Sequence, residues 1–325
     1  LRIGDGMNAL VYILKRVIYN IPVVLLMTIF LFAMVHLLPG DPADIMLSGE
    51  GGAEDPVIRA QLMRELGLDQ PLVVQYGIWL WRALHGNFGK SVYSGERVFT
   101  LIMDRFPATV MLAFSSMIVS IMVALPAGII SAVKRQKTAD YGAMLFALLG
   151  ISIPEFWFGI MLILTFSLWI PVLPSMGFTS PFEDFFGSLK FLVLPATALG
   201  LRMAGVVTRM TRSSMLDELG QDYVRTARAK GLPEKTVIFL HTLKNALIPT
   251  VTIVGLQFGT ILGGSVIIEM VFSWPGVGQL IVNSILTRDY LVVQAAVLLL
   301  AVFFLIVNLF VDFLYTLLNP RVELA

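Results

Sequence analysis

Six stretches of this sequence are apolar over lengths that fit a lipid bilayer: 17–38, 107–133, 141–170, 189–208, 247–268 and 291–318. A hydrocarbon core of ~30 Å takes about 20 apolar residues in a helix. In lipid the backbone must bond to itself, so each stretch is expected to form a spanning helix and the fold to be all-α. Composition agrees. The chain is 57% hydrophobic and 14% charged, where a soluble domain is about a quarter charged. Its net charge of +1 implies no nucleic-acid partner. With no cysteine it has no disulfide and no thiolate metal site.

Basic residues orient the spans, because Lys and Arg gather on the cytoplasmic side. Lys15 and Arg16 precede the first span, Lys134, Arg135 and Lys137 follow the second, and Arg321 follows the sixth. The reading places fourteen basic residues inside and eight outside, with Arg202 within a span. Both termini are then cytoplasmic. Residues 1–16 form the inner N-terminus, with 1–6, ahead of Met7, read as upstream sequence. Residues 17–318 form the transmembrane domain, and 319–325 the inner C-terminus. Residues 39–106 form an external region with two expected amphipathic helices, Ile58 to Leu66 and Tyr76 to Leu84. A second external stretch, Glu269 to Tyr290, carries Trp274 as an interfacial anchor. Pro154 is expected to kink or break the third span.

The polar run from Arg209 to Lys244 lies between the fourth and fifth spans, within an inner loop 209–246. It carries Arg209, Arg212, Arg225, Arg228, Lys230, Lys235 and Lys244 against Asp217, Glu218, Asp222 and Glu234. Its middle, Tyr223 to Lys230, contains no Gly or Pro and reads as a short helix that Asp222 could cap. Gly231 then stands where a helix C-cap glycine stands, with Pro233 beyond it.

DYVRTARAKGL at 222–232, followed by HTLKNALIP, resembles the cytoplasmic loop of ABC-importer permeases of the dipeptide/oligopeptide/nickel branch. RMTRSSML upstream and FSWPGVG at 272–278 fit the same branch, and the likeness runs from LKRV to NPR. The general importer pattern has Glu-Ala-Ala where this chain has Arg225-Thr226-Ala227. Four residues of that pattern, Ile-x-Leu-Pro, are replaced by His241-Thr242-Leu243-Lys244. The resemblance implies a bacterial inner-membrane permease subunit whose loop helix docks into a groove on an ATPase subunit. Its implied partners are a second homologous permease, two ABC ATPase subunits, an extracytoplasmic solute-binding protein and membrane lipid. ATP and Mg would be held by the ATPases, with no cofactor and no catalysis in this chain. The implied cargo is a di- or oligopeptide, with glutathione or a nickel complex as the alternatives. The implied coupling set is Tyr223, Arg225, Thr226, Ala227, Arg228, Ala229, Lys230, Gly231 and Leu232. Small residues would allow close approach and the three basic residues would supply rim charge.

Within the spans two features stand out. Glu155 and Arg202 are charges at membrane depth, which face a partner or a wet cavity. They either pair between adjacent spans or line a polar pathway for the charged ends of a substrate. Gly255, Gly259 and Gly263 recur every four residues in the fifth span and open one helix face to close approach. That face serves ordinary packing or a subunit contact along the pathway. His36, His85 and His241 are scattered, and His36 reads as structural. GNFGKS lacks the Gly a phosphate loop needs at position 84, which is Leu, and reads as a surface turn. An ion-coupled secondary transporter would show a second broken helix matching Pro154, and a channel a filter loop or charge rings; neither is visible in the sequence.

Overall fold

A computed structural model describes residues 3–37 and 69–318. The expected helix Ile58 to Leu66 and the C-terminal segment 319–325 lie outside the described residues. The helices are α1 (Ile3–Leu37), α2 (Leu72–Leu84), α3 (Val98–Val133), α4 (Thr138–Ser152) and α5 (Glu155–Ile163), which runs on as a π-helical turn, Leu164–Trp169. Then follow α6 (Phe185–Leu219), α7 (Asp222–Ala229) and the single turn α8 (Glu234–Thr236). A second π-helical turn, Val237–Thr242, leads into α9 (Leu243–Val271), α10 (Val277–Leu286) and α11 (Tyr290–Leu318). Among the described residues five helices are long and apolar enough to cross a membrane, or six if the bent pair α4–α5 counts as one.

That pair realises the proline break. The chain leaves α4 at Ser152, passes through extended Ile153 and Pro154, and restarts at Glu155, with a bend of 101°. Pro154 supplies no N–H and its ring clashes with the preceding turn, so one span becomes two helices. α3 begins nine residues before the expected Pro107 and carries Asp104 and Arg105 in its first turns. Pro107 sits within it.

The chain divides into two compact units. One is built on 108–275 and the end of α11 from Ile306. Its centre is α6, which packs on α9, α4 and α5. The helix approaches are tight because glycines stand at the crossings. A Cβ on Gly205 would lie 2.5 Å from the Ala147 carbonyl oxygen, and one on Gly200 would lie 2.8 Å from that of Ser116. At 35 residues α6 is about 52 Å long, so it outruns a ~30 Å hydrocarbon core. Asp184 caps its start, accepting from the Gly187 N–H at 2.9 Å.

The other unit is built on α1 from Leu14, on 69–107, and on 276–305. Leu31, Phe88, Val98, Ile102, Val277, Val292, Ala295 and Ala296 form its core. His36 is structural, as expected: its ring bonds the Phe32 carbonyl and the Gln75 side chain. GNFGKS is a turn, with Gly86 and Gly89 at φ 71° and 83°.

One expectation about 269–290 is corrected. Trp274 is no interfacial anchor: it is fully buried, its Nε1–H donates to the Ala108 carbonyl at 2.9 Å, and its ring meets Phe178 edge-on. The acidic residues at the two ends of the stretch are buried. Glu269 is fully buried in α9, and Asp289 is buried where Ser91 donates to it. Hydroxyls replace the water these carboxylates give up, which is what makes their burial tolerable.

Candidate functional site

The polar run folds as a closed structure strung between α6 and α9. α7 spans Asp222–Ala229, and Asp222 is its first helical residue rather than its cap; Gln221 caps it without a side-chain bond. The helix ends in a full Schellman motif. The Gly231 N–H donates to the Arg228 carbonyl at 2.9 Å, and the Leu232 N–H to that of Ala227 at 3.4 Å. Gly231 adopts φ 75°, open to glycine without cost. The sequence therefore stops the helix where the pattern expected.

Val224 and Ala227 turn inward and meet Val237 of the π-helical turn, forming a small buried cluster. Tyr223 ties the start of α7 to both long helices. Its hydroxyl donates to the Glu218 carboxylate at the end of α6 and accepts from the Asn245 amide of α9 at 3.1 Å. Burial, then the neighbouring carboxylate, pushes the phenol above its usual range, so it remains a donor at neutral pH. Arg228 forks onto Glu234, at 2.7 and 3.2 Å, and fastens the end of α7 to α8. Both partners are about half exposed, so this pair directs geometry more than it stabilises.

The expected coupling set is thus divided. Tyr223, Arg225, Thr226, Arg228, Ala229, Lys230, Gly231 and Leu232 are exposed. Ala227 is 7% exposed and faces its own chain, so it supports the helix rather than offering a contact. Of the rim charges, Arg228 is engaged by Glu234 and Arg225 lies 3.5 Å from Asp222.

Residues the sequence reading did not single out anchor this segment. Asp140, 3% exposed at the start of α4, accepts both arms of a fork from Arg212 of α6, at 2.7 and 2.9 Å. It also accepts from Ser131 at the end of α3 and from the Gln136 backbone N–H in the α3–α4 turn. One carboxylate therefore binds α3, α4 and α6 just where α6 leads to α7. Asp140 stands three residues after Lys137 and looks like a solvated boundary charge; only the packing shows otherwise.

The intramembrane charges come together. Arg202 Nη1 lies 3.8 Å from Glu155 Oε2. Glu155 is mostly covered, at 13% exposed, whereas Arg202 is 62% exposed. The broken span is the reason: Glu155 opens α5 directly after the Pro154 bend and is carried towards α6. The three glycines do not act alike. A Cβ on Gly255 would meet Val311 of α11 at 2.4 Å, Gly259 is buried, and Gly263 is exposed with nothing within 4 Å. Gly255→Val should therefore lower the thermal midpoint of the purified chain, and Gly263→Val should leave it within a degree or two. Equal midpoint losses would contradict the placement.

The sequence profile described as the inner membrane component of binding-protein-dependent transport systems matches residues 124–324. A companion profile for the N-terminal part of such membrane components matches residues 9–113. This chain belongs to that family. The permease is 42% identical over 335 residues to the dipeptide transport system permease protein DppB of Escherichia coli K12, covering 96% of this chain and 98% of that protein. It is 43% identical over 312 residues to the glutathione transport system permease protein GsiC of Salmonella choleraesuis, with the same coverage. Its fold is shared with a chain of the inward-facing MetNI methionine ABC transporter at a TM-score of 0.57 and 18% identity, over 67% of the permease and 96% of that chain. The permease is an ABC-importer inner-membrane component of the peptide, dipeptide and glutathione type.

Proposed function

We propose that this permease carries di- or oligopeptides across the inner membrane in an ATP-driven importer, receiving them from an extracytoplasmic binding protein. The observation that carries the reading is the 42% and 43% identity, over 96% of this chain, to a dipeptide and a glutathione permease, whose substrates share charged termini on a short peptide backbone. α4 and α5 count as one broken span in this reading. Six spans put both termini and the loop holding α7 on one side, and the basic residues at 134–137 and along 209–244 mark that side as the cytoplasm.

There α7 is the coupling helix. A second, homologous permease completes the pathway, and two ATPase subunits bind ATP and Mg and perform hydrolysis. The exposed face of α7, with Thr226, Ala229 and the Gly231 turn, enters a groove on the ATPase. Closure of the ATPases moves α7. Tyr223 and the Asp140–Arg212 fork pass that displacement to α6, α9 and α4. For nucleotide to shift the equilibrium, α7 must make different contacts in the two states. Arg202, with its exposed guanidinium backed by Glu155, faces the pathway and meets the carboxylate end of a passing peptide.

Reconstituted transporter tests both halves. Uptake of a labelled dipeptide should require ATP and binding protein. Uptake driven by a proton or sodium gradient without ATP would overturn the importer reading. Arg202→Gln should reduce dipeptide uptake several-fold while the ATPase subunits still co-purify; unchanged uptake in both Arg202→Gln and Glu155→Gln would remove the pathway role. A binding panel of peptides, glutathione and nickel on the cognate binding protein separates the cargo classes.

A further inference from the structure

α2 lies in the region expected to be external, yet it packs along a spanning helix and leaves an apolar face open. Three observations coincide. First, α2 packs along α1 within the same unit. Gln75 meets His36, Tyr76 and Trp79 meet Phe32, and the Tyr76 hydroxyl lies 2.8 Å from the hydroxyl of Thr28. Thr28 is buried in the middle of the span Ile18–His36, eight residues or about 12 Å along the helix from His36. The Thr28 hydroxyl donates to the Leu25 carbonyl at 2.8 Å and so accepts from Tyr76, and a tyrosine hydroxyl partnered at that depth is what a dry environment demands.

Second, the opposite face of α2 is apolar and open. Val73, Gly77, Trp81 and Leu84 fall on one side of the helix, and Val73, Trp81 and Leu84 are 82%, 66% and 73% exposed. The helix carries a single charged residue, Arg82, which is half-buried. A helix apolar on both sides belongs inside a protein or a membrane. Third, α1 itself presents open apolar residues, with Leu26 and Phe30 each 68% exposed, and it is the least buried of the five spanning helices among the described residues.

We propose that α2 is embedded in one leaflet of the bilayer beside α1, at its His36 end, with Val73, Trp81 and Leu84 against lipid acyl chains. The segment between the first two spans then dips into the membrane before α3 begins. This rests on the membrane location of the chain and not on its cargo.

This chain carries no cysteine, so a single introduced thiol can be labelled once the partner subunits are made cysteine-free. Val73→Cys and Leu84→Cys would carry a nitroxide in the assembled transporter in phospholipid nanodiscs. Leu26→Cys serves as the lipid reference and Gln70→Cys as the water reference. The ratio of collision with oxygen to collision with a neutral nickel chelate should match that at 26 and exceed that at 70 several-fold. Should Val73→Cys fail to assemble, Val74→Cys samples the adjoining surface with the same expectation. A ratio like that at 70 would place α2 in water and overturn the proposal. So would labels reached by neither reagent, which would mean that protein, a binding protein or a second permease, covers the face. Neither outcome would touch the importer reading, which stands or falls on ATP-dependent uptake.

Discussion

Replacing Asp140 with Ala should cost the fold on the order of 3–5 kcal/mol, because it leaves Arg212 charged, largely buried and unmatched. Four bonds are lost at once: the Arg212 fork, the Ser131 hydroxyl and the Gln136 N–H. The last two fix the end of α3 and the turn into α4, so the damage is not confined to one pair. The measurement is the thermal midpoint of the detergent-purified chain, with recovery of folded protein as a second readout. Asp140→Asn, which keeps the shape and part of the bonding, should fall between wild type and Asp140→Ala. Exchange of the two charges, Asp140→Arg with Arg212→Asp, should recover part of the loss. A midpoint for Asp140→Ala within a degree of wild type would mean that the fork is dispensable.

Gly231→Val should separate ATP hydrolysis from transport. At φ 75° a residue with a Cβ costs about 1–2 kcal/mol, and a β-branched one more. The chain would relieve this by giving up the two Schellman bonds, which displaces the end of α7 without disturbing the buried core of the spans. Space is not the issue, since nothing lies within 4 Å of a Cβ placed there. The expected result is uptake reduced by about tenfold or more, on the scale of 1.4 kcal/mol per decade, while the ATPase subunits in the complex continue to turn over. Gly231→Asn, which tolerates the left-handed region, should retain most of the coupling. Equal uptake in wild type and Gly231→Val would detach α7 from the mechanism.

These two residues show how unevenly the sequence could be read. Gly231 was legible because its signal is local: a polar helical run, a glycine, then a proline. The break at Pro154 was legible for the same reason. Asp140, Glu269 and Asp289 were not. Each sits beside a span end, where a carboxylate in water and one buried against hydroxyls look alike in a string of letters. Their partners stand far away in the chain, at Arg212, Thr109 and Ser91. Ala227 misled for a related reason. A small residue on a short helix suits a docking surface, but the helix turns that side towards Val237.

Local periodicity and hydropathy were enough to locate the apolar helices, the break at Pro154 and the end of α7, since each follows from bonds within a few residues. The pairing of Glu155 with Arg202, the division of labour among Gly255, Gly259 and Gly263, and the depth of α2 beside α1 depend on which helix faces which. That is decided by packing between segments remote in sequence, where backbone approach at a glycine or one buried carboxylate selects a neighbour that composition cannot name.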